Sequence, residues 1–167
     1  PANIDETQIP GEKPANLAKR LAETKATVTA ARNNGAFVLA ADTVVALGRR
    51  VLPKVKNEGE TKRSLQLLSG RGHRVYGGIC VIAPDGHMVS RLVTTKVIFK
   101  RLAAAEIKAY LKTDEWEDKS GGYAIQGVAG RFVRNLQGSY TNVVGLPIHE
   151  TALLLEGLGY GDGYGDA

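Results

Sequence analysis

Two alternating apolar runs, His73 to Ala83 and Met88 to Lys100, flank the turn Pro84-Asp85-Gly86, and no other feature constrains the fold of this chain as strongly. Asp-Gly between runs of period two is a β-hairpin signal, because the glycine takes up the positive φ that a tight reversal requires. The chain therefore contains an antiparallel strand pair. A third strand is expected from Ala36 to Ala46, where Ala36-Phe37-Val38-Leu39-Ala40 is apolar and the continuation Thr43-Val44-Val45 is β-branched. Phe132 to Leu136 alternates like a fourth.

Helical spacing separates these strands. Leu17, Leu21, Ala22, Lys25 and Val28 recur at three- and four-residue steps, which predicts a helix from Pro14 to about Asn33, with Asn33-Asn34-Gly35 as its stop. Shorter helices are expected over 58–68, 103–112 and 146–158, the last with Pro147 in its first turn. Gly48 to Asn57 reads as irregular and basic. Helices interleaved with strands give an α/β class, expected as a mixed twisted sheet flanked by helices. One domain over 1–159 accounts for the pattern, with 160–167 as a flexible Gly/Tyr/Asp tail.

Asp42 stands out within the third strand. A carboxylate beside a buried apolar run is costly to desolvate unless a cation, a metal ion or a water compensates it. An Asp capping the following turn is the competing reading, and the local pattern leaves both open. Composition narrows the partners. The 167 residues carry 22 Lys and Arg against 17 Asp and Glu, a net charge of +5 that suits an anionic ligand. The basic residues are scattered and aromatics are only 6%, so the interleaved cations and stacking platforms of a single-strand binder are missing. No specific nucleic-acid partner is expected. Cys80, the single cysteine, sits in an apolar run and reads as core. No signal peptide or membrane-length segment is seen, and a cytoplasmic location is expected. No Walker loop or paired metal-spaced histidines occur. His73, at a strand start, is expected in a polar edge role rather than in catalysis.

Six segments occur in an order that carries more information than any of them alone: Ile4-Asp5-Glu6-Thr7; Leu21-Ala22 with Lys25-Ala26; Ala41-Asp42-Thr43-Val44-Val45; Leu67-Leu68-Ser69-Gly70 with His73-Arg74-Val75; Gly122-Tyr123-Ala124-Ile125-Gln126-Gly127; and Asn142-Val143-Val144-Gly145-Leu146-Pro147. Together they resemble the Maf family of nucleoside triphosphate pyrophosphatases, over Pro1 to about Gly159. The resemblance implies a Maf/ITPase-like fold with a central nucleotide cleft. It also implies cleavage of a nucleoside triphosphate between the α- and β-phosphates, with a divalent cation, magnesium or manganese, as cofactor. Carried over by position, Asp42 matches the family's proposed general base, and Glu6 and Lys25 match the phosphate and metal region, with Glu6 and Asp42 as the metal-binding carboxylates. Lys54 matches the lysine of a Leu-Gly-Lys-Pro pattern, which here reads Leu52-Pro53-Lys54-Val55. Thr43 and Gln126 match positions tied to base selection, and the Tyr-Ala-Ile-Gln-Gly form resembles the branch acting on dTTP and UTP.

The residue types suit these roles. Lysines are compact point charges for phosphate, carboxylates hold Mg²⁺ while leaving room for water and phosphate oxygens, and an amide offers both donor and acceptor to a pyrimidine edge. The competing readings are a solvated helix lysine for Lys25, a turn residue for Gln126 and a surface acid for Glu6. The resemblance lacks one part, since the family's Ser-x-Ser-Pro-Arg-Arg loop has no counterpart. The expectation is that this segment lies upstream of Pro1; the alternative is a shortened relative that binds nucleotide without efficient turnover. A homodimer is left open.

Overall fold

The computed structural model describes residues 3–161. Its elements, in chain order, are α1 (Pro14–Ala30), β1 (Val38–Leu47), β2 (Arg50–Leu52), α2 (Glu58–Leu68), β3 (Gly72–Ile82), β4 (Met88–Phe99), α3 (Ala104–Leu111), a 3₁₀ turn (Val128–Phe132), β5 (Val133–Gln137), α4 (Tyr140–Val144) and α5 (Ile148–Gly157). The strands form one sheet in the order β2-β1-β3-β4-β5.

The expected hairpin is β3–β4, paired without a break from Gly72↔Ile98 to Ile82↔Met88. Its turn is closed by Gly86 at φ +87 and by the Asp85 carboxylate, which accepts the His87 N–H at 2.9 Å. The α/β class and the helix-flanked sheet are as expected. Among the described residues every strand pairing is antiparallel, so the sheet contains no parallel component there. Two local expectations need correction. Gly48–Asn57 is not wholly irregular, because Arg50–Leu52 folds back onto Val45–Leu47 as β2 after Gly48 turns the chain at φ +60. The element α4 was not foreseen, since five residues capped by the Ser139 hydroxyl are too few to show a helical period. The expected tail at 160–167 falls mainly on 162–167, which lie outside the described residues.

Strand parity divides the core between the two faces of the sheet. Val44 and Cys80 point toward α1, where Leu17, Ala18, Leu21, Ala22 and Ala26 cover them. Val45, Val75, Val97 and Phe99 point the other way, into the larger core with Leu65, Leu68, Tyr110, Tyr123 and Phe132. Cys80 is fully buried, as expected, and burial pushes its thiol up to about 11. Two adjacent glycines on β3 let helices approach both faces. A Cβ at Gly78 would lie 2.1 Å from the Ala18 carbonyl oxygen of α1, and one at Gly77 would lie 1.9 Å from Asn142 Oδ1 of α4. Asn142 fills that gap and donates to the Val75 and Val93 carbonyls and to Thr95 Oγ1, which pins α4 to the sheet.

Candidate active site

The site forms where β1 is only half covered. Leu47, Ala46 and Val45 pair with β2, whereas Val38 to Val44 pair with β3 alone among the described residues. Asp42 and Thr43 point to opposite faces of the sheet, yet both line one cavity because it wraps around this open edge. The cavity holds about 300 Å³ and is lined by Lys25, Asp42, Thr43, Lys54, Tyr123 and Gln126, among others. A neighbouring cavity of about 640 Å³ shares Asp42, Thr43, Lys54 and Ser120 with it and adds Glu6. All six residues singled out in the sequence therefore border two contiguous spaces of ligand size.

Lys25 sits at their junction. Its ammonium donates to Asp42 Oδ1 at 2.5 Å and lies 2.7 Å from Glu6 Oε1, so one cation holds two carboxylates from distant segments. Each partner is positioned by its own segment. Lys25 is carried by α1, close over Gly78, and Gly78 is the residue directly opposite Asp42 in the β1–β3 register. Glu6 lies outside regular structure in a segment held against α1 by Arg20. That guanidinium donates to both Glu12 carboxylate oxygens, at 2.7 and 2.9 Å, and to the Thr7 carbonyl at 3.0 Å.

Burial and charge then set the ionisation of the three groups. Asp42 is the most enclosed, with 12% of its side chain exposed. Burial raises its pKa; Lys25 pulls it down and the Glu6 charge pushes it up again, with a net upward shift. Burial opposes the Lys25 ammonium, but the bonds and charges of Asp42 and Glu6 outweigh it and hold its pKa up. Both directions are consistent, because Lys25 collects two anions while Asp42 shares one cation and faces another carboxylate. Glu6, more exposed, is held low chiefly by its bond to Lys25.

Lys54 is fixed by a clip outside the sheet. It bridges Ser120, with the Gly121 N–H donating to Pro53 O and the Val55 N–H to Lys119 O. Gln126 rides on a turn closed by the Gly127 N–H to Ala124 O bond. Gly127 has no Cβ because Glu115 Oε2 passes 2.1 Å from where it would be, on its way to accept the Val128 N–H. Thr43 Oγ1 makes a long contact, 3.4 Å, to Gly145 O.

Among the described residues no three His, Cys, Asp or Glu side chains converge as a metal cage. The Glu6–Asp42 pair is nonetheless an all-oxygen donor set of the size magnesium takes, since Mg²⁺ is held by one or two carboxylates with water and phosphate completing its shell. The donors present are of the type a divalent cation takes, and in this structure the Lys25 ammonium engages one oxygen of each.

The profile of the family described as Maf-like protein matches residues 1–158. The chain belongs to the Maf family. It is 60% identical over 160 residues to the dTTP/UTP pyrophosphatase of Paramagnetospirillum magneticum, covering 96% of this chain and 84% of that protein. The proteins of the same name from Caulobacter vibrioides and Maricaulis maris are 57% and 58% identical over 160 residues, covering 83% and 76% of their lengths.

Several lining residues of this Maf chain were not singled out by sequence reasoning: Lys119, Ser120, Tyr123 and Val143 to Gly145. Tyr123 and Val143–Gly145 lie within the recognised segments, so a signal existed at motif level but not at residue level. The expected polar edge role for His73 is overturned. It is 1% exposed, because its odd parity on β3 turns it into the larger core with Val75.

Proposed function

We propose that this Maf chain hydrolyses dTTP and UTP to the nucleoside monophosphate and pyrophosphate. The observation that carries this reading is the convergence of Glu6 and Asp42 on the Lys25 ammonium, beside a cavity that Lys54 and Gln126 also line. The relatives at 57–60% identity, each named a dTTP/UTP pyrophosphatase, point the same way.

In this reading a water attacks phosphorus at the α–β anhydride and the bridging P–O bond breaks. Pyrophosphate departs with the bridging oxygen, and the water's proton passes to Asp42. Asp42 is suited to that task. One oxygen is engaged by Lys25 while Oδ2 has no protein partner among the described residues, and its raised pKa makes it a stronger base than an exposed aspartate. Lys54 faces the phosphates as a point charge, and Lys25 keeps the two carboxylates together despite their repulsion. A divalent cation, magnesium or manganese, bound by Glu6 and Asp42 would neutralise phosphate charge as it develops on the leaving group. Gln126 presents an amide donor and acceptor to the O4 and N3–H edge of uracil or thymine, and Thr43 adds a hydroxyl nearby.

An enzyme of free nucleotides belongs in the cytoplasm, and no helix among the described residues is long and apolar enough to cross a membrane. Exposed Tyr140, Val144, Ile148 and Leu153 supply apolar surface that a homodimer would bury. Pyrophosphate release measured with dTTP, UTP and GTP in the presence of Mg²⁺ tests the assignment. Binding of dTTP or UTP without release would instead support a nucleotide-binding relative impaired in turnover, and preference for GTP would refute the pyrimidine reading.

A further inference from the structure

His73 and Tyr123 form a buried polar pair that the mechanism above does not use. Nε2 of His73 on β3 lies 2.7 Å from the Tyr123 hydroxyl, and the two residues are 1% and 6% exposed. Phe99 wedges against both, with ring centroids 5.0 Å from His73 and 4.9 Å from Tyr123. The other imidazole nitrogen, Nδ1, is buried without a hydrogen-bond partner among the described residues. Burial pushes the imidazole down to about 4, so the ring is neutral at physiological pH.

Such an arrangement is expensive as plain core. A leucine or phenylalanine at 73 would fill the space without leaving a nitrogen unpaired, and a phenylalanine at 123 would pack the same ring without a hydroxyl to satisfy. What the pair does accomplish is visible from its position. Tyr123 lines the cavity, and Gln126 follows three residues later on a turn outside the sheet ladder. Tyr123 is tied through its hydroxyl to the central hairpin strand that also pairs with the Asp42 strand. The sequence segments His73-Arg74-Val75 and Gly122 to Gly127, far apart in the chain, thus meet at one hydrogen bond.

We propose that His73 is a positioning residue, whose bond to Tyr123 sets the turn bearing Gln126 and so fixes the base-recognition end of the cavity. The proposal deepens the pyrimidine nucleotide reading and rests on it. Because the contact lies behind the cavity wall, its loss loosens recognition of the base while leaving the Lys25–Asp42 centre in place.

The test uses Tyr123→Phe, His73→Phe, the double variant, and His73→Gln, whose amide can still reach the phenol. Steady-state kinetics on dTTP, UTP and GTP are combined with hydrogen exchange at the amides of 124–128 in the ligand-free protein. Losing one hydrogen bond's worth of positioning should raise KM for dTTP about tenfold, with kcat changing much less. The pyrimidine-over-purine preference should narrow by a similar factor. The double variant should be no worse than either single, because all three lack the same bond, and His73→Gln should recover part of the loss. Exchange at 124–128 should quicken in step. Should wild type fail to turn over dTTP or UTP while exchange still quickens, the positioning pair stands and the nucleotide reading falls. Unchanged KM, preference and exchange in Tyr123→Phe would overturn the proposal. So would additive losses in the double variant, or a lowered Tm with base preference intact. Tyr123→Phe removes one oxygen atom, so it tests the pair even if His73→Phe does not fold.

Discussion

Gly78→Ala is a remote substitution with a definite consequence for the site. The added methyl would lie 2.1 Å from the Ala18 carbonyl oxygen and 2.9 Å from the Lys19 nitrogen, both backbone atoms of α1. Backbone cannot rotate away as a side chain can, so the contact must open to at least 3.0 Å by moving the helix off the sheet. Lys25 rides on that helix and reaches Asp42, which sits opposite Gly78. Retreat by a sizeable fraction of an ångström strains an ion pair now closed at 2.5 Å. The four-carbon lysine stem can follow part of the way, so kcat should fall by about 10- to 10²-fold, the upper end being that of an unabsorbed 1 Å misplacement. Overpacking should also cost about 1–3 kcal/mol, or roughly 3–10 °C in Tm for a domain of this size. Gly77→Ala is the internal comparison, since it overpacks the opposite face against Asn142 and leaves α1 where it is. Pyrophosphate-release kinetics and thermal melts on both variants decide the matter. A Gly78→Ala protein that loses stability but keeps full kcat, or equal kcat losses in the two variants, would refute the coupling of helix approach to the ion pair.

Three further outcomes follow from the same centre. Asp42→Asn should lower turnover by a factor on the order of 10² or more, and its Tm at pH 7 should be no lower than wild type. The sign follows from the raised pKa: ionised Asp42 costs stability once pH rises through its folded pKa, and the amide has no such cost. In metal-free protein, carboxyl-carbon NMR should find the Asp42 titration moved up in Lys25→Gln and down in Glu6→Gln, because Lys25 lowers that pKa and Glu6 raises it; shifts of the same sign would break the assignment of causes. Lys119→Ala should raise KM for dTTP several-fold with little change in kcat, since Lys119 lines the cavity while the ion pair to Asp42 is made by Lys25; an unchanged KM would place its ammonium outside the phosphate path.

Much of the scaffold was legible because its signals are local. The period-two runs around Asp85-Gly86 became β3 and β4, and the spacing of Leu17, Leu21 and Ala22 became the buried stripe of α1. Asp42 was visible as a carboxylate against an apolar run. Its actual partner, Lys25, lies seventeen positions away on α1, and only the resemblance put the two together before the geometry did. β2 escaped notice because three residues are too few for a period and its pairing depends on the reversal at Gly48. His73 departs from its expected edge role for a related reason: its parity relative to Val75 is visible in the sequence, but the packing of Tyr123 and Phe99 over that end of β3 is a tertiary fact.

The charges around the two cavities define one more requirement. The cationic side chains lining them are Lys25, Lys54, Lys56 and Lys119, set against the carboxylates Glu6, Asp42 and Asp118. A triphosphate brings about four negative charges, and among the described residues the positive charge these walls offer to meet them is that of lysine. Lys25 is moreover already engaged by two carboxylates. Glu6 should therefore act with opposite signs in two conditions. Without divalent cation it repels the phosphates and occupies Lys25, so Glu6→Gln should tighten dTTP binding. With Mg²⁺ present it should serve as a ligand, and the same substitution should weaken binding. Calorimetric titration of dTTP into both proteins, with EDTA and with Mg²⁺, reads the sign directly. A change of the same sign in both conditions would remove Glu6 from the metal site and leave it as a partner of Lys25 alone.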